Sequence, residues 1–428
     1  MKPKRALEAN LSPGEDPHSH PHPPPQSQSL AGRSATERVP RAVLHVCAGN
    51  LRGGIETFLL GLARRPPPTA VERQAFAVIR DGWLRQSLDA AAAEVFPIGP
   101  LRLGRPWTIP QTGRRLLDAL RSPGPGSGRP FNRVVFHGLW PFALLSSFAR
   151  EARAWGELPA ELALVLWMHD HFGKGHWTEA LAQLRGGWPD VIVCNSLGTA
   201  GTLARSRWKD AVPIQVIRCP VDPLPREWFL DPHRQDVRRR LRTPDAAVVI
   251  AIAARFDSWK GHSLLLEALI RLKRERPGLP SWCLWVLGAA QRPFEEALLK
   301  DWKEQARRGG LIEGEDLRFL GLRDDVAAVL AAADVYCQPN TAAEPFGLAF
   351  VEALAAGLPV LTTSQGGAER EILTSACGAL VTPGDGAVAA LAAVLGDWIA
   401  DPSTRRALGR AGPDRARDLC DPAAFFVP

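Results

Sequence analysis

Short apolar runs alternate with stretches of helical spacing along nearly the whole chain, and this alternation leaves few folds open. Val43–Cys47, Ala75–Ile79, Val134–His137, Leu162–Met168 and Val191–Asn195 read as buried strands, with helical segments such as Ile55–Arg65 and Trp83–Ala92 between them. The pattern resumes in Val248–Ala254, Trp282–Leu287, Arg318–Leu320, Val335–Gln338 and Pro359–Thr362. A strand that is apolar at every position has both faces covered, and the intervening helices cover them. The expectation is an α/β protein with two Rossmann-like, doubly wound parallel-sheet domains facing across a cleft.

At 428 residues the chain has room for two domains. Pro213, Pro220, Pro223, Pro225 and Pro232 crowd the region Val212–Asp231, which has no sustained periodicity. The expected division is a leader over 1–39, a first Rossmann-like domain over 40–225 and a second over 226–428. The leader is rich in Pro, His, Ser and charge and lacks the apolar segment of a signal peptide, so it reads as disordered. His18, His20 and His22 alternate within it and read as part of a low-complexity tail rather than a metal site.

No run approaches the ~18–20 apolar residues of a membrane span. Seven scattered cysteines without a C-x-x-C fit reduced, buried thiols and a cytoplasmic protein. The charge is uneven. Residues 40–225 hold 22 Lys and Arg against 14 Asp and Glu, whereas 226–428 hold 25 against 27. A basic first half fits peripheral contact with anionic lipid at the inner face of a membrane, and equally an Arg-rich surface with no partner.

Ligands of open α/β sheets bind beyond the C-terminal ends of the strands, and the residues with chemistry stand there. Gly49-Asn50-Leu51-Arg52-Gly53-Gly54 follows the first strand, where paired glycines admit a ligand close to the backbone. His137 and His169 end later strands, and each fits either orienting a hydroxyl or merely capping the strand. Arg255 and Lys260-Gly261 follow the first strand of the second unit, where two cations suit a diphosphate or, alone, a solvated surface. Gly124, Gly126 and Gly128 neither follow a strand nor open a helix and read as loop.

The sharpest signal is Glu344-Pro345-Phe346-Gly347-Leu348-Ala349-Phe350-Val351-Glu352, two carboxylates eight positions apart. Gly347 marks a helix start and Gly357 its end, so Glu344 feeds the helix N-terminus and Glu352 lies one turn inside. Free backbone N–H groups there attract an anion, and flanking carboxylates accept from hydroxyls. Together they suit a sugar nucleotide.

With these elements in order, residues 41 to 400 resemble the retaining GT-B glycosyltransferases of family 4, the glycosyl transferases group 1. Cys194-Asn195-Ser196, Ala333-Asp334-Val335 and Gly366-Gly367 with Glu371-Ile372 fit the same pattern. The resemblance implies a hexosyltransferase-type enzyme moving a sugar from a nucleotide-sugar donor to a glycan or lipid-linked acceptor of surface polysaccharide synthesis, with retention. It implies that Glu352 binds the ribose and that Glu344, with Phe346, Gly347 and Leu348, holds the donor sugar. Arg255 and Lys260 would stabilise the leaving diphosphate, Gly53 and Gly54 would close onto it, and His169 would lie near sugar and acceptor. It implies no cofactor, no metal and no nucleic-acid partner. Departures are Ala254 in place of Gly and Cys219-Pro220-Val221-Asp222 near the boundary. The final helix that braces the first domain reads as short or absent. A silent sugar-nucleotide-binding protein and a GT-B epimerase or phosphorylase are the rival readings.

Overall fold

The computed structural model describes residues 41–49, 51–67, 71–124, 128, 130–173, 175 and 177–425, apart from the side chains of 185 and 186. The leader with its three histidines, Asn50, Gly126 and the terminal Phe426, Val427 and Pro428 lie outside the described residues.

The strands are β1 (Arg41–Cys47), β2 (Val71–Val78), β3 (Glu94–Pro97), β4 (Arg133–His137), β5 (Ala163–Met168), β6 (Val191–Cys194) and β7 (Ile214–Val216), then β8 (Val248–Ala253), β9 (Trp282–Leu287), β10 (Leu317–Gly321), β11 (Val335–Cys337), β12 (Val360–Thr363) and β13 (Gly378–Val381). They form a seven-stranded sheet in the order β3-β2-β1-β4-β5-β6-β7 and a six-stranded sheet in the order β10-β9-β8-β11-β12-β13. Every pairing between these strands is parallel. The two doubly wound domains are therefore present as the apolar runs require.

Successive residues of one strand serve opposite faces. Val43 and Cys47 join one core cluster, while Ala42, Leu44 and Val46 join another. In β8, Val249 and Ala251 face the first of these clusters and Val248, Ile250 and Ile252 a third. That first cluster runs through both sheets, from Phe58 and Trp167 to Trp285 and Phe350. The proline-crowded region near 212–231 opens with β7, which pairs only with β6 at the sheet edge.

The C-terminal expectation is corrected. The helix Pro402–Cys420 spans 19 residues. Cys420 accepts a hydrogen bond from Val221 N at 3.0 Å, and Phe425 packs on Phe58 and Trp167 of the first domain. Gly409, Gly412 and Pro413 discourage a helix reading, yet the helix forms because its glycines dock on the helix Leu348–Ala355 and its end. A Cβ on Gly409 would stand 2.2 Å from Gly357 O, and one on Gly412 would stand 2.5 Å from Leu354 O. Tertiary contact outweighs a weak local propensity here. Gly409→Ala and Gly412→Ala should each lower stability by roughly 1–3 kcal/mol, because the obstructing atoms are backbone. Denaturant titration checks this, and unchanged midpoints would show that the two helices part at no cost.

Among the described residues no helix is long and apolar enough to cross a membrane. The seven cysteines are free and buried.

Candidate active site

Each sheet has a switch point where its strand order reverses, between β1 and β4 in the first and between β8 and β11 in the second. The chemistry-bearing residues stand beyond these strand ends and beyond those of the neighbouring β5, β6 and β12.

After β8, Arg255 pairs with Asp257 at 2.9 Å, and Asp257 also holds Arg292 at 2.8 Å. The chain then makes a single 3-10 turn, Ser258–Lys260, and enters the helix His262–Glu275 through Gly261 at φ +81°. Gly261 sits where a Cβ would be 1.9 Å from Pro339 O, and Thr341 N donates to Trp259 O at 2.8 Å. The turn after β8 and the loop after β11 are thus locked together, and this aims Lys260.

Lys260 Nζ lies 3.0 and 2.7 Å from the two carboxylate oxygens of Glu344, over the Trp259 ring at 4.0 Å. Glu344 is 5% exposed and also accepts from Asn340 Nδ2 at 2.8 Å. A polar file leads to it along the end of β11: Tyr336 OH donates to Gln338 Oε1 at 2.6 Å, and Gln338 Nε2 donates to Asn340 Oδ1 at 2.9 Å. Alternate residues of an extended chain share a face, which is why positions 336, 338 and 340 line up. Their polar alternation was the available signal in the sequence, and the reading passed over it.

The backbone of Glu344 is pinned too. Ala368 N donates to its carbonyl at 2.8 Å, and a Cβ on Gly367 would lie 2.5 Å from both Glu344 N and O. Gly347 adopts φ +84° and starts the helix Leu348–Ala355, with Phe346 buried beside it. The first turn of that helix has N–H groups without intrahelical partners. Glu352, one turn in, is partly buried, and its carboxylate meets no donor among the described residues. Burial pushes it up to about 7.

The first domain closes over this platform. A Cβ on Gly53 would lie 3.2 Å from Arg255 Cδ, and one on Gly54 would lie 3.9 Å from Leu348 Cδ2. Arg52 N donates to Gln291 Oε1 at 2.6 Å, Gln291 Nε2 returns a bond to Arg52 O at 2.9 Å, and Arg52 pairs with Asp324 at 2.7 Å. Glu56, just inside the first helix, is raised by burial against the opposing pull of the Glu56 and Gly53 backbone N–H groups and the Arg255 charge.

The turn after β6 grips the motif from the other side. Ser196 Oγ and Thr199 Oγ1 donate to Pro345 O at 2.5 and 2.9 Å. Glu371 accepts from Leu197 N at 3.1 Å and Gly198 N at 2.6 Å, and pairs with Arg218 at 3.2 Å. His169 follows β5, and its carbonyl accepts from Asn195 Nδ2 at 3.3 Å. Its ring belongs to a row with His137 and His45: His45 Nδ1 and His137 Nε2 are 2.9 Å apart, as are His137 Nδ1 and His169 Nε2.

The structure therefore joins Lys260 with Glu344, Gly53 with Arg255, and Gly54 with Leu348. Lys260, read as a partner of Arg255, is committed to Glu344. The contributions of Gln338, Asn340, Ser196 and Thr199 were not read from the sequence. Among the described residues no group of three or more His, Cys, Asp and Glu converges as a metal cage.

Residues 233–415 match the family described as glycosyl transferases group 1. Over 297 residues the chain is 31% identical to the GDP-mannose-dependent alpha-(1-6)-phosphatidylinositol monomannoside mannosyltransferase of Mycolicibacterium smegmatis, covering 67% of this chain and 72% of that protein. This chain belongs to the group 1 glycosyltransferases. A second member, the phosphatidyl-myo-inositol mannosyltransferase of Mycobacterium leprae, is 37% identical over 158 residues, which is 35% of this chain and 37% of that protein. The chain thus matches well under two thirds of that relative. The fold agrees: Anabaena HepE, crystallised with UDP and glucose, superposes with a TM-score of 0.71 at 19% identity, over 89% of this chain and 96% of that one. The two facing domains are the GT-B arrangement of this family.

Proposed function

We propose that this chain moves a sugar from a nucleotide-sugar donor to a hydroxyl of a glycan or lipid-linked glycan, with retention at the anomeric carbon. The observation that carries the reading is the buried Lys260–Glu344 pair at the entrance to the helix Leu348–Ala355, with the Gly53-Gly54 loop of the other domain resting on Arg255 and Leu348. A donor laid across this cleft meets Glu352 at its ribose, Arg255, Lys260 and the helix N-terminus at its diphosphate, and Glu344 with Phe346 to Leu348 at its sugar. As the bond from the anomeric carbon to the diphosphate breaks, charge gathers on phosphate oxygens, where fixed cations are most effective. The acceptor oxygen bonds to the carbon from the same face, and its proton passes to the departing phosphate. In this scheme the cations and helix dipole supply the charge stabilisation and no metal is required. The silent-binder alternative drew on a missing C-terminal brace, and the helix Pro402–Cys420 removes that support.

Calorimetric titration with UDP, GDP and ADP tests the reading. One nucleotide should bind selectively, and its sugar conjugates should be turned over; no binding to any of the three would overturn it. Glu352 gives this binding a pH signature. Its ordinary value of 4.5 is raised to about 7, so the stability it contributes is present below 4.5 and lost as pH rises through 7. Glu352→Gln lacks that loss, so it should gain stability relative to wild type across this window while binding nucleotide about tenfold more weakly above it. Parallel stability curves would mean that burial does not hold Glu352 neutral, and equal nucleotide affinity of the two proteins above pH 7 would take Glu352 out of the ribose site.

Peripheral contact with anionic lipid belongs to the same proposal. Leu103 and Trp107 are 47% and 60% exposed, beside exposed Arg102 and Arg105. Sedimentation with phosphatidylserine vesicles at low salt should carry the protein down, and indifference to anionic lipid would sink the idea.

A further inference from the structure

Three histidines from adjacent strands form one hydrogen-bonded row. His45 lies inside β1, His137 ends β4 and His169 follows β5, and these strands are neighbours in the order β1-β4-β5. We propose that His45 and His137 are positioning residues that hold His169 neutral with its proton on Nδ1, so that the cleft meets a hydrogen-bond donor there and not a base. The proposal rests on the transferase reading above for its use, though not for its geometry.

The proton count decides the direction. Each 2.9 Å N···N contact needs one N–H and one lone pair, and each neutral imidazole carries one of each. The middle ring must donate on one side and accept on the other. Only two arrangements satisfy both contacts. In the first, His45 Nδ1–H donates to His137 Nε2, His137 Nδ1–H donates to His169 Nε2, and the proton of His169 sits on Nδ1. In the second, every proton moves to the other nitrogen, and His45 carries an N–H on Nε2. That nitrogen is buried without a partner. A buried N–H with nothing to bond is rarer than an unsatisfied acceptor. The first arrangement leaves His45 Nε2 as a bare lone pair and avoids that defect.

Packing keeps the rings from turning over. His45 stacks on Phe76 at 5.3 Å, and Trp167 stacks on His137 at 5.5 Å and on His169 at 5.9 Å. Burial opposes a charge anywhere in the row, holding His169 and His45 down at about 3 and His137 well below its ordinary value. The row opens toward the cleft: exposure rises from 0% at His45 to 4% at His137 and 8% at His169. The carbonyl of His169 is held by Asn195, whose neighbour Ser196 grips Pro345 beside Glu344. A fixed donor at this rim orients a sugar hydroxyl, and the proton of the acceptor must leave by another route.

Long-range 1H–15N correlation on the full chain labelled with 15N-histidine reads the tautomers directly. The expected result is a protonated Nδ1 and an unprotonated Nε2 on all three rings. A protonated Nε2 on His169 would overturn the proposal. His137→Asn and His137→Leu supply the second measurement. Asparagine can still present an N–H toward His169 Nε2, and leucine cannot. In His137→Leu the Nε2–H form of His169 should appear and kcat/KM should fall about tenfold with nucleotide affinity unchanged. In His137→Asn both the tautomer and the rate should recover. Equal losses in the two variants would reduce the row to packing. If no donor supports turnover in wild type while the tautomers are as stated, it is the transferase reading that fails and not the lock.

Discussion

Glu344→Ala should lose both stability and transfer, and adding Lys260→Met should restore only the first. Lys260 is 14% exposed at its side chain, and its two contacts to Glu344 make a buried ion pair. Removing one member of a buried pair strands the other, at a cost of roughly 3–5 kcal/mol. The double variant has no stranded charge, so thermal unfolding should return toward wild type. Transfer should stay down by a factor of about 10²–10³ or more, because the groups proposed for the sugar and the leaving diphosphate are both gone. Nucleoside diphosphate should still bind through Arg255 and Glu352. A double variant as unstable as Glu344→Ala would mean that the carboxylate steadies the Asn340–Gln338 file rather than the lysine. A single variant with full transfer would remove Glu344 from the site.

Gly261→Ala should be as damaging without touching any group that contacts a ligand. The residue sits at φ +81°, a region that costs a side chain about 1–2 kcal/mol. Its Cβ would also be 1.9 Å from Pro339 O, a backbone atom of the loop that carries Asn340 and Glu344. The loop must move, and Lys260 with it. Stability should fall by more than ~2 kcal/mol and transfer by about 100-fold. Gly278→Ala is the control, since a Cβ there meets nothing within 4 Å. Calorimetric unfolding and a donor-consumption assay separate the two, and a Gly261→Ala protein indistinguishable from the control would refute the locked turn.

What could be read from the sequence follows from where side chains are buried. The central strands β1, β4, β5, β8 and β9 are covered on both faces and announce themselves as apolar runs. The strands β3, β7 and β13 lie at sheet edges with partly exposed side chains; Glu94, Pro97 and Gln215 break the run in the first two, and β13 is a four-residue strand opening on Gly378. Pro413 and two helix glycines hid the C-terminal helix, because docking on the helix Leu348–Ala355 decided its conformation. In the site, Glu344, Arg255 and Lys260 stood out because each lies in the connection between a strand end and the helix that follows it. His45 did not: within Val43–Cys47 it looks like a polar interruption, and only its distance to His137 gives it a role. Cys194-Asn195-Ser196 marked a strand end, but the clasp of Ser196 and Thr199 on Pro345 was not legible, since their partner is a carbonyl 149 and 146 positions away.

That carbonyl has a consequence for how such a protein can drift. Every amino acid has a carbonyl oxygen, so the clasp on Pro345 fixes the path of the loop while leaving the neighbouring side chains unconstrained by it. Through this clasp the first domain senses whether the loop is in place, and not which side chains the loop displays. In the proposed donor site, residues around Glu344 can therefore be exchanged to suit a different sugar without disturbing this clasp. Substitution at Ser196 or Thr199 would disturb every such specificity alike.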